Sequence, residues 1–230
     1  MMERNEEKFA LVTGASSGIG AEIALKLLDA GWNVIGMSRS RPEVSHARFS
    51  FIPVDLSDRA ALEEALGSIG TLDALVHAAG ILRVGAVGSL DLDDGQAMWR
   101  LHVEASTQLI DRLAPRLKDG GRIVLIGSRT ARGSASRAQY AASKAAMVGL
   151  ARSCAIELAP RGVTVNVVSP GATDTPMLKD PKRSNVAPKM PPIGRLVKPQ
   201  EVAALAAFLL SDDAASITGQ EILVCGGASL

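Results

Sequence analysis

Short apolar runs alternate with longer amphipathic stretches along almost the whole chain. Phe9 to Thr13 (FALVT) reads as a buried strand that ends in GASSGIG, after which Ala21 to Ala30 shows helical apolar spacing and stops at Gly31. Asn33 to Ser38 and Phe49 to Val54 are the second and third strands, and the polar stretch RSRPEVSHAR between them has the length of a connection with no full helix of its own. The pattern then predicts a helix over Asp58 to Leu66, capped by Ser57 or Asp58, and a fourth strand over Ala74 to Ala78 that ends in Ala79-Gly80. A long helix follows from about Asp94 to Leu117, then a fifth strand from Arg122 to Gly127. A helix from Gln139 to Leu158 and a sixth strand from Thr164 to Val168 come next, the strand stopped by Pro170-Gly171. Beyond Thr175 the texture turns dense in proline and lysine without periodicity, a substrate lid at about 176–198, before a helix from Pro199 to Leu210 and a last strand from Glu221 to Val224. Strands alternating with helices, with no repeat and no separable linker, predict a single α/β domain over 1–230 whose parallel sheet is covered on both faces.

Composition narrows the partners. The 230 residues are 47% apolar with a net charge of +1, which describes a compact globular protein and gives no general electrostatic case for nucleic acid or an anionic membrane. A small molecule is the expected partner. The N-terminus, MMERNEEKF, lacks an apolar core segment, and the longest apolar run, Val202 to Leu210, is too short to span a bilayer, so the expected location is cytoplasmic. Cys154 and Cys225 form neither a disulfide framework nor a metal-ligand spacing, and no metal is expected.

Candidate chemistry begins at Tyr140 and Lys144. They lie four apart on one face of the alanine-rich helix, and Tyr140 is the only tyrosine in the chain. Alone, such a pair describes a helix surface equally well. The turn from Thr13 to Gly20, TGASSGIG, joins a strand to a helix, the place where a dinucleotide pyrophosphate sits on a helix N-terminus and bare glycine backbone allows close approach. A tight turn with no ligand is the competing reading.

Taken together, the motifs resemble the short-chain dehydrogenase/reductase family over nearly the full chain. They are TGxxxGIG at Thr13 to Gly20, Asp55-Leu56 after the third strand, Ala79-Gly80 after the fourth and Ser128 after the fifth. Tyr140-Ala-Ala-Ser-Lys144, Asn166 to Gly171, Thr175, PPIGR and ITGQ complete the order. The resemblance implies a Rossmann-type doubly wound sheet of about seven strands. It implies that Gly14, Ser16, Ser17, Gly18, Ile19 and Gly20 hold the pyrophosphate and adenosine ribose, that Asp55 and Leu56 contact the adenine, and that Ala79 and Gly80 lie along the cofactor. Pro170, Gly171, Thr173 and Thr175 would flank the nicotinamide end. Ser128 would hydrogen-bond the substrate oxygen, Tyr140 would pass the proton, and Lys144 would bind the nicotinamide ribose and polarise Tyr140. One cation about 4 Å away supplies roughly 4 kcal/mol at an effective dielectric near 20, enough to bring a phenol from its usual 10 to about 7. At the end of the second strand stand Ser38 and Arg39 with no carboxylate, which favours NADP over NAD.

The chain also departs from the family. His102 stands where the family carries an asparagine that helps hold a water, and imidazole at that position predicts a retained relay with an added pH-dependent step; a core histidine satisfied by backbone is the alternative. The family's NNAG turn is His77-Ala78-Ala79-Gly80, so two side-chain amides are missing. Arg129, Arg132 and Arg137, with Lys179, Lys182, Arg183 and Lys189 in the lid, would favour an anionic substrate if several face the cleft. The expectation is therefore an NADP-dependent oxidoreductase acting on a carbonyl or secondary alcohol, such as a 3-oxoacyl thioester or another anionic keto compound. A polyol or sugar dehydrogenase and a catalytically silent dinucleotide-binding sensor or scaffold are the alternatives. Small residues Ala141, Ala145, Ala146 and Gly149 on the tyrosine helix would permit close helix approach in a homotetramer or homodimer.

Overall fold

The computed structural model describes residues 7–180 and 189–230. Seven strands form one parallel sheet in the order β3-β2-β1-β4-β5-β6-β7. They are β1 (Phe9–Thr13), β2 (Asn33–Ser38), β3 (Phe49–Pro53), β4 (Leu72–His77), β5 (Leu117–Ile126), β6 (Thr164–Pro170) and β7 (Glu221–Val224). The helices are α1 (Gly18–Asp29), α2 (Arg59–Gly67), α3 (Leu92–Trp99), α4 (Ala105–Leu113), α5 (Ala138–Leu158) and α6 (Pro199–Leu209). This is the doubly wound Rossmann arrangement, and chain order reverses between β1 and β4, where such sheets open a crevice.

Period-two alternation sends the two faces of each central strand into separate cores. Leu11, Leu75, Ile123, Leu125, Val165 and Val167 join residues of α2, α4 and α5 on one face. Ala10, Val12, Ala74, Val76, Val124 and Val168 join residues of α1 and α6 on the other. Both faces being covered explains why the strands read as nearly continuous apolar runs. Asp58, rather than Ser57, caps α2, its carboxylate accepting from the N–H groups of Ala60 and Ala61, each at 3.0 Å.

One expectation is corrected. The helix predicted from Asp94 to Leu117 starts earlier, capped by Asp91, and is interrupted: α3 and α4 are joined by a π-helical turn over Arg100–Glu104, in which Ala105 N–H reaches Arg100 O. Pro115 then permits only a short 3-10 turn, and Leu117 already has extended geometry and opens β5 five residues before the expected start. The predicted lid at 176–198 falls partly outside the described residues, as do Lys182, Arg183 and the Lys179 side chain. Among the described residues no helix is long and apolar enough to cross a membrane.

Candidate active site

A cleft of about 770 Å³ opens at the C-terminal ends of the strands. Gly14, Ser16, Ser17, Gly18, Ile19 and Gly20 line it from the β1–α1 turn, Ser38 and Arg39 from the end of β2, and Asp55 and Leu56 from the end of β3. Ala79 and Gly80 follow β4, Ser128 follows β5, Tyr140 and Lys144 come from α5, and Pro170, Gly171, Thr173 and Thr175 stand at and after the end of β6. Of the expected site residues only His102 is not on the wall. Ser134 and Ser136, beside Ser128 in sequence, do not line the cleft either.

The β1–α1 turn has the properties a phosphate cradle needs. A Cβ on Gly14, which has φ +68°, would lie 2.7 Å from Ala79 N, and one on Gly20 would lie 2.3 Å from Gly14 O. No side chain could occupy either position without moving backbone. Ser17 at the N-terminus of α1 gives no side-chain cap and the first turn holds no acid, so the N–H groups of that turn are left for an anion. Beside the turn, Asp55 accepts from Ser57 Oγ at 2.5 Å and from Ser57 N–H at 3.0 Å; the Ser57 hydroxyl is the main cause of its lowered pKa, and the Arg39 charge adds to it. The donor set and the cleft volume fit a dinucleotide.

At the other end, Ser128 Oγ accepts from Thr130 N–H at 3.2 Å, which leaves its own proton to donate into the cleft. Tyr140 is 8% exposed and Lys144 4%. Lys144 Nζ donates to Ile126 O at 2.8 Å and lies 6.0 Å from the centre of the Tyr140 ring. Burial pushes the Lys144 ammonium down to about 7, so near neutral pH it is only partly charged.

His102 does not behave as expected. It is fully buried, Nε2 accepts from Ile81 N–H at 3.1 Å, and Nδ1 meets Ser143 Oγ at 2.9 Å. Burial first, then the Lys144 charge and His77, hold its pKa well below the usual imidazole value. Both ring nitrogens are occupied and the ring stays neutral, so the predicted pH-dependent step at this residue is withdrawn. Its edge meets the Tyr140 ring, centroids 5.6 Å apart at 83°. His77 is likewise buried and pushed down to about 3, by burial first and by Lys144 second.

Sequence reasoning missed several wall residues. Arg83 lines the cleft and pairs with Asp94 at 3.4 Å and Asp180 at 3.2 Å. Gly227, Ala228 and Leu230 bring the C-terminal end to the same wall; the Gly226-Gly227 pair, both with positive φ, was the available signal. Of the candidate cations, Arg129, Arg137 and Lys189 line the cleft, whereas Arg132 pairs with Glu221 at 3.3 Å.

Comparison with known proteins gives one consistent result. The family model described as enoyl-(acyl carrier protein) reductase matches residues 14–229. The 3-oxoacyl-[acyl-carrier-protein] reductase FabG of Salmonella typhimurium is 38% identical, over 96% of this chain and 97% of its own length. Among solved structures, the ligand-free aldohexose dehydrogenase of Thermoplasma acidophilum superimposes with a TM-score of 0.87 at 30% identity, over 97% of this chain and 94% of that one. BdcA in complex with NADPH gives 0.84 at 31% identity, over 96% of this chain and 93% of that one.

Proposed function

The chain belongs to the short-chain dehydrogenase/reductase family and is an NAD(P)-dependent oxidoreductase of carbonyls and alcohols, and from that premise we propose that it is an NADP-dependent reductase of an anionic keto compound, with a 3-oxoacyl thioester as the leading candidate. The observation that carries this reading is one wall. The glycine turn, Arg39, Ser128, Tyr140 and Lys144 line a single cleft, and Arg129, Arg137 and Lys189 line it with them.

The residues divide the work as follows. Gly14 to Gly20 bind the pyrophosphate through backbone N–H groups, and Ser38 and Arg39 receive the adenosine ribose, where a guanidinium and the absence of an acid suit a 2′-phosphate. Asp55 and Leu56 flank the adenine, Ala79 and Gly80 let backbone pass close to the dinucleotide, and Pro170, Gly171, Thr173 and Thr175 border its nicotinamide end. When bound, the nicotinamide supplies or accepts the hydride at the carbonyl carbon. Ser128 donates its hydroxyl proton to the substrate oxygen and orients it. Tyr140 Oη gives that oxygen a proton in reduction and takes it back in oxidation, and Lys144, held against Ile126 O, favours the phenolate form. His102 acts by holding neighbouring groups in place.

The likeness to an aldohexose dehydrogenase supports a second reading, a sugar or polyol dehydrogenase, since fold and cofactor turn do not fix the substrate. The three cations on the cleft wall favour the anionic substrate over it. On the outer side of α5, Ala145 and Gly149 are exposed together with Ile156, which supports assembly as a homodimer or homotetramer.

The test follows NADPH and NADH consumption against β-ketoacyl thioesters, keto acids, sugars and simple ketones. The expected result is NADPH-dependent turnover of acidic or thioester substrates that weakens with added salt. Faster turnover of neutral sugars at low salt overturns the substrate class, and NADPH binding with no turnover across the panel points to a sensor.

A further inference from the structure

A series of donors runs from the glycine turn to the tyrosine helix through two buried histidines. Thr13 Oγ1 takes the N–H groups of Ala78 and Ala79 at 3.1 and 3.3 Å, so its own proton goes to His77 Nδ1 at 2.9 Å. His77 then carries its proton on Nε2 and donates it to Leu101 O at 3.1 Å, inside the π turn. One residue on, His102 Nε2 is occupied by Ile81 N–H, so Nδ1 bears the proton and donates to Ser143 Oγ. The Ser143 hydroxyl in turn donates to the Tyr140 carbonyl at 2.9 Å. Every proton in the series has a single assignment, and the two histidines use opposite tautomers.

We infer that His77 and His102 are positioning residues that strap the dinucleotide turn to the Tyr140 helix through the Leu101–His102 peptide, so that a break at either end lowers both dinucleotide affinity and turnover. His77, His102 and Ser143 are 0%, 0% and 1% exposed, and none of them lines the cleft. A buried network in which every member is satisfied is stiff, and removing one member leaves its partner unpaired in a low dielectric. The strap also passes beside the reacting groups: a Cβ on Gly80 would sit 3.1 Å from His102 Nε2 and 3.6 Å from Lys144 Nζ. Leu101 O meets β4 and the His102 ring meets α5 from consecutive residues of the π turn.

The inference rests on the reading of Tyr140 as the proton-transfer group, and the experiment separates the two. Nitrogen-15 NMR of the imidazoles in the full-length wild-type protein is expected to show His77 as the Nε2–H and His102 as the Nδ1–H tautomer. NADPH dissociation constants and kcat are then measured for Ser143→Ala, His77→Phe and the double variant, with Tm read alongside. Each single variant is expected to weaken NADPH binding and to lower kcat by roughly ten-fold. The double variant is expected to fall no further than the worse single one, because both cut the same strap. Reversed tautomers, multiplicative effects, or a Ser143→Ala loss confined to kcat would overturn the strap. If His77→Phe does not fold, the wild-type tautomers and Ser143→Ala, whose side chain does not itself line the cleft, decide the matter. A wild-type protein that turns over no carbonyl defeats the proposed function instead, while tautomers and NADPH affinity still test the strap.

Discussion

The two ends of the cleft are built from different materials. The β1–α1 turn is made of backbone and small residues, where Gly14 and Gly20 leave no room for a Cβ and the first turn of α1 offers N–H groups, with the Arg39 and Asp55 side chains beside it. Around Ser128 and Tyr140 the wall is instead made of side chains, and Arg83, Arg129 and Lys189 line the same cleft. A backbone turn keeps its donors whatever side chains surround it, whereas a side-chain wall can be rewritten one residue at a time. The cofactor class is therefore the more constrained half of the reading, and substitutions at the two ends should separate binding from turnover.

The largest separation is expected at Tyr140. Replacement by phenylalanine removes only the hydroxyl from a ring that also packs on Leu82 and Met98, so the fold and the glycine turn are kept. The expected outcome is a fall in kcat of about 10²–10⁴, the usual worth of a positioned proton donor, with the NADPH dissociation constant changed by no more than a few-fold. Steady-state kinetics beside a fluorescence titration read both. A Tyr140→Phe protein that keeps most of its turnover breaks the comparison. The next effect is the mirror image at the other end. Arg39→Ser should lower the NADPH-to-NADH preference by roughly 10–100-fold, the worth of one charge-assisted contact, and leave kcat with saturating NADPH nearly unchanged.

The same contrast decides what could be read in the chain. Glycine spacing at Thr13 to Gly20 and the four-residue spacing of Tyr140 and Lys144 are local patterns tied to backbone geometry, and residues around both line the cleft. All seven strands were legible because both sheet faces are apolar, though β5 starts early: Leu117 is separated from its apolar run by Lys118-Asp119-Gly120-Gly121, which hid the extension. The π turn has no compositional signature, since Arg100–Glu104 continues the helical apolar pattern on either side. The surroundings of His102 were illegible for a related reason. Burial first, then Lys144 and His77, lower its pKa, and Ile81 and Ser143 occupy its two nitrogens, groups that only the fold brings together. Arg132 likewise looked like its neighbours Arg129 and Arg137 until Glu221, nearly ninety positions on, was placed beside it.

The smallest effect concerns stability, and its sign follows from burial. Lys144 titrates at about 7 in the folded protein against an ordinary value of 10.5, with desolvation as the cause. Between those two values the unfolded chain holds more protons than the folded one, so this group makes stability rise with pH across that window. Below about pH 7 both states are protonated and the full penalty of a buried ammonium is felt; above 10.5 both are neutral and it vanishes. Lys144→Met removes the penalty but strands Ile126 O, which has been accepting the ammonium proton at 2.8 Å, and the lost hydrogen bond offsets part of the gain. The ligand-free variant is expected to be more stable than the wild type by about 1–2 kcal/mol at pH 6, with the difference shrinking as pH rises towards 10. Urea unfolding of both proteins at several pH values measures this directly. A difference that grows with pH would mean that Lys144 stays charged in the folded state through a partner at the substrate end, and the contrast between a backbone end and a side-chain end would then have to include a buried ion pair.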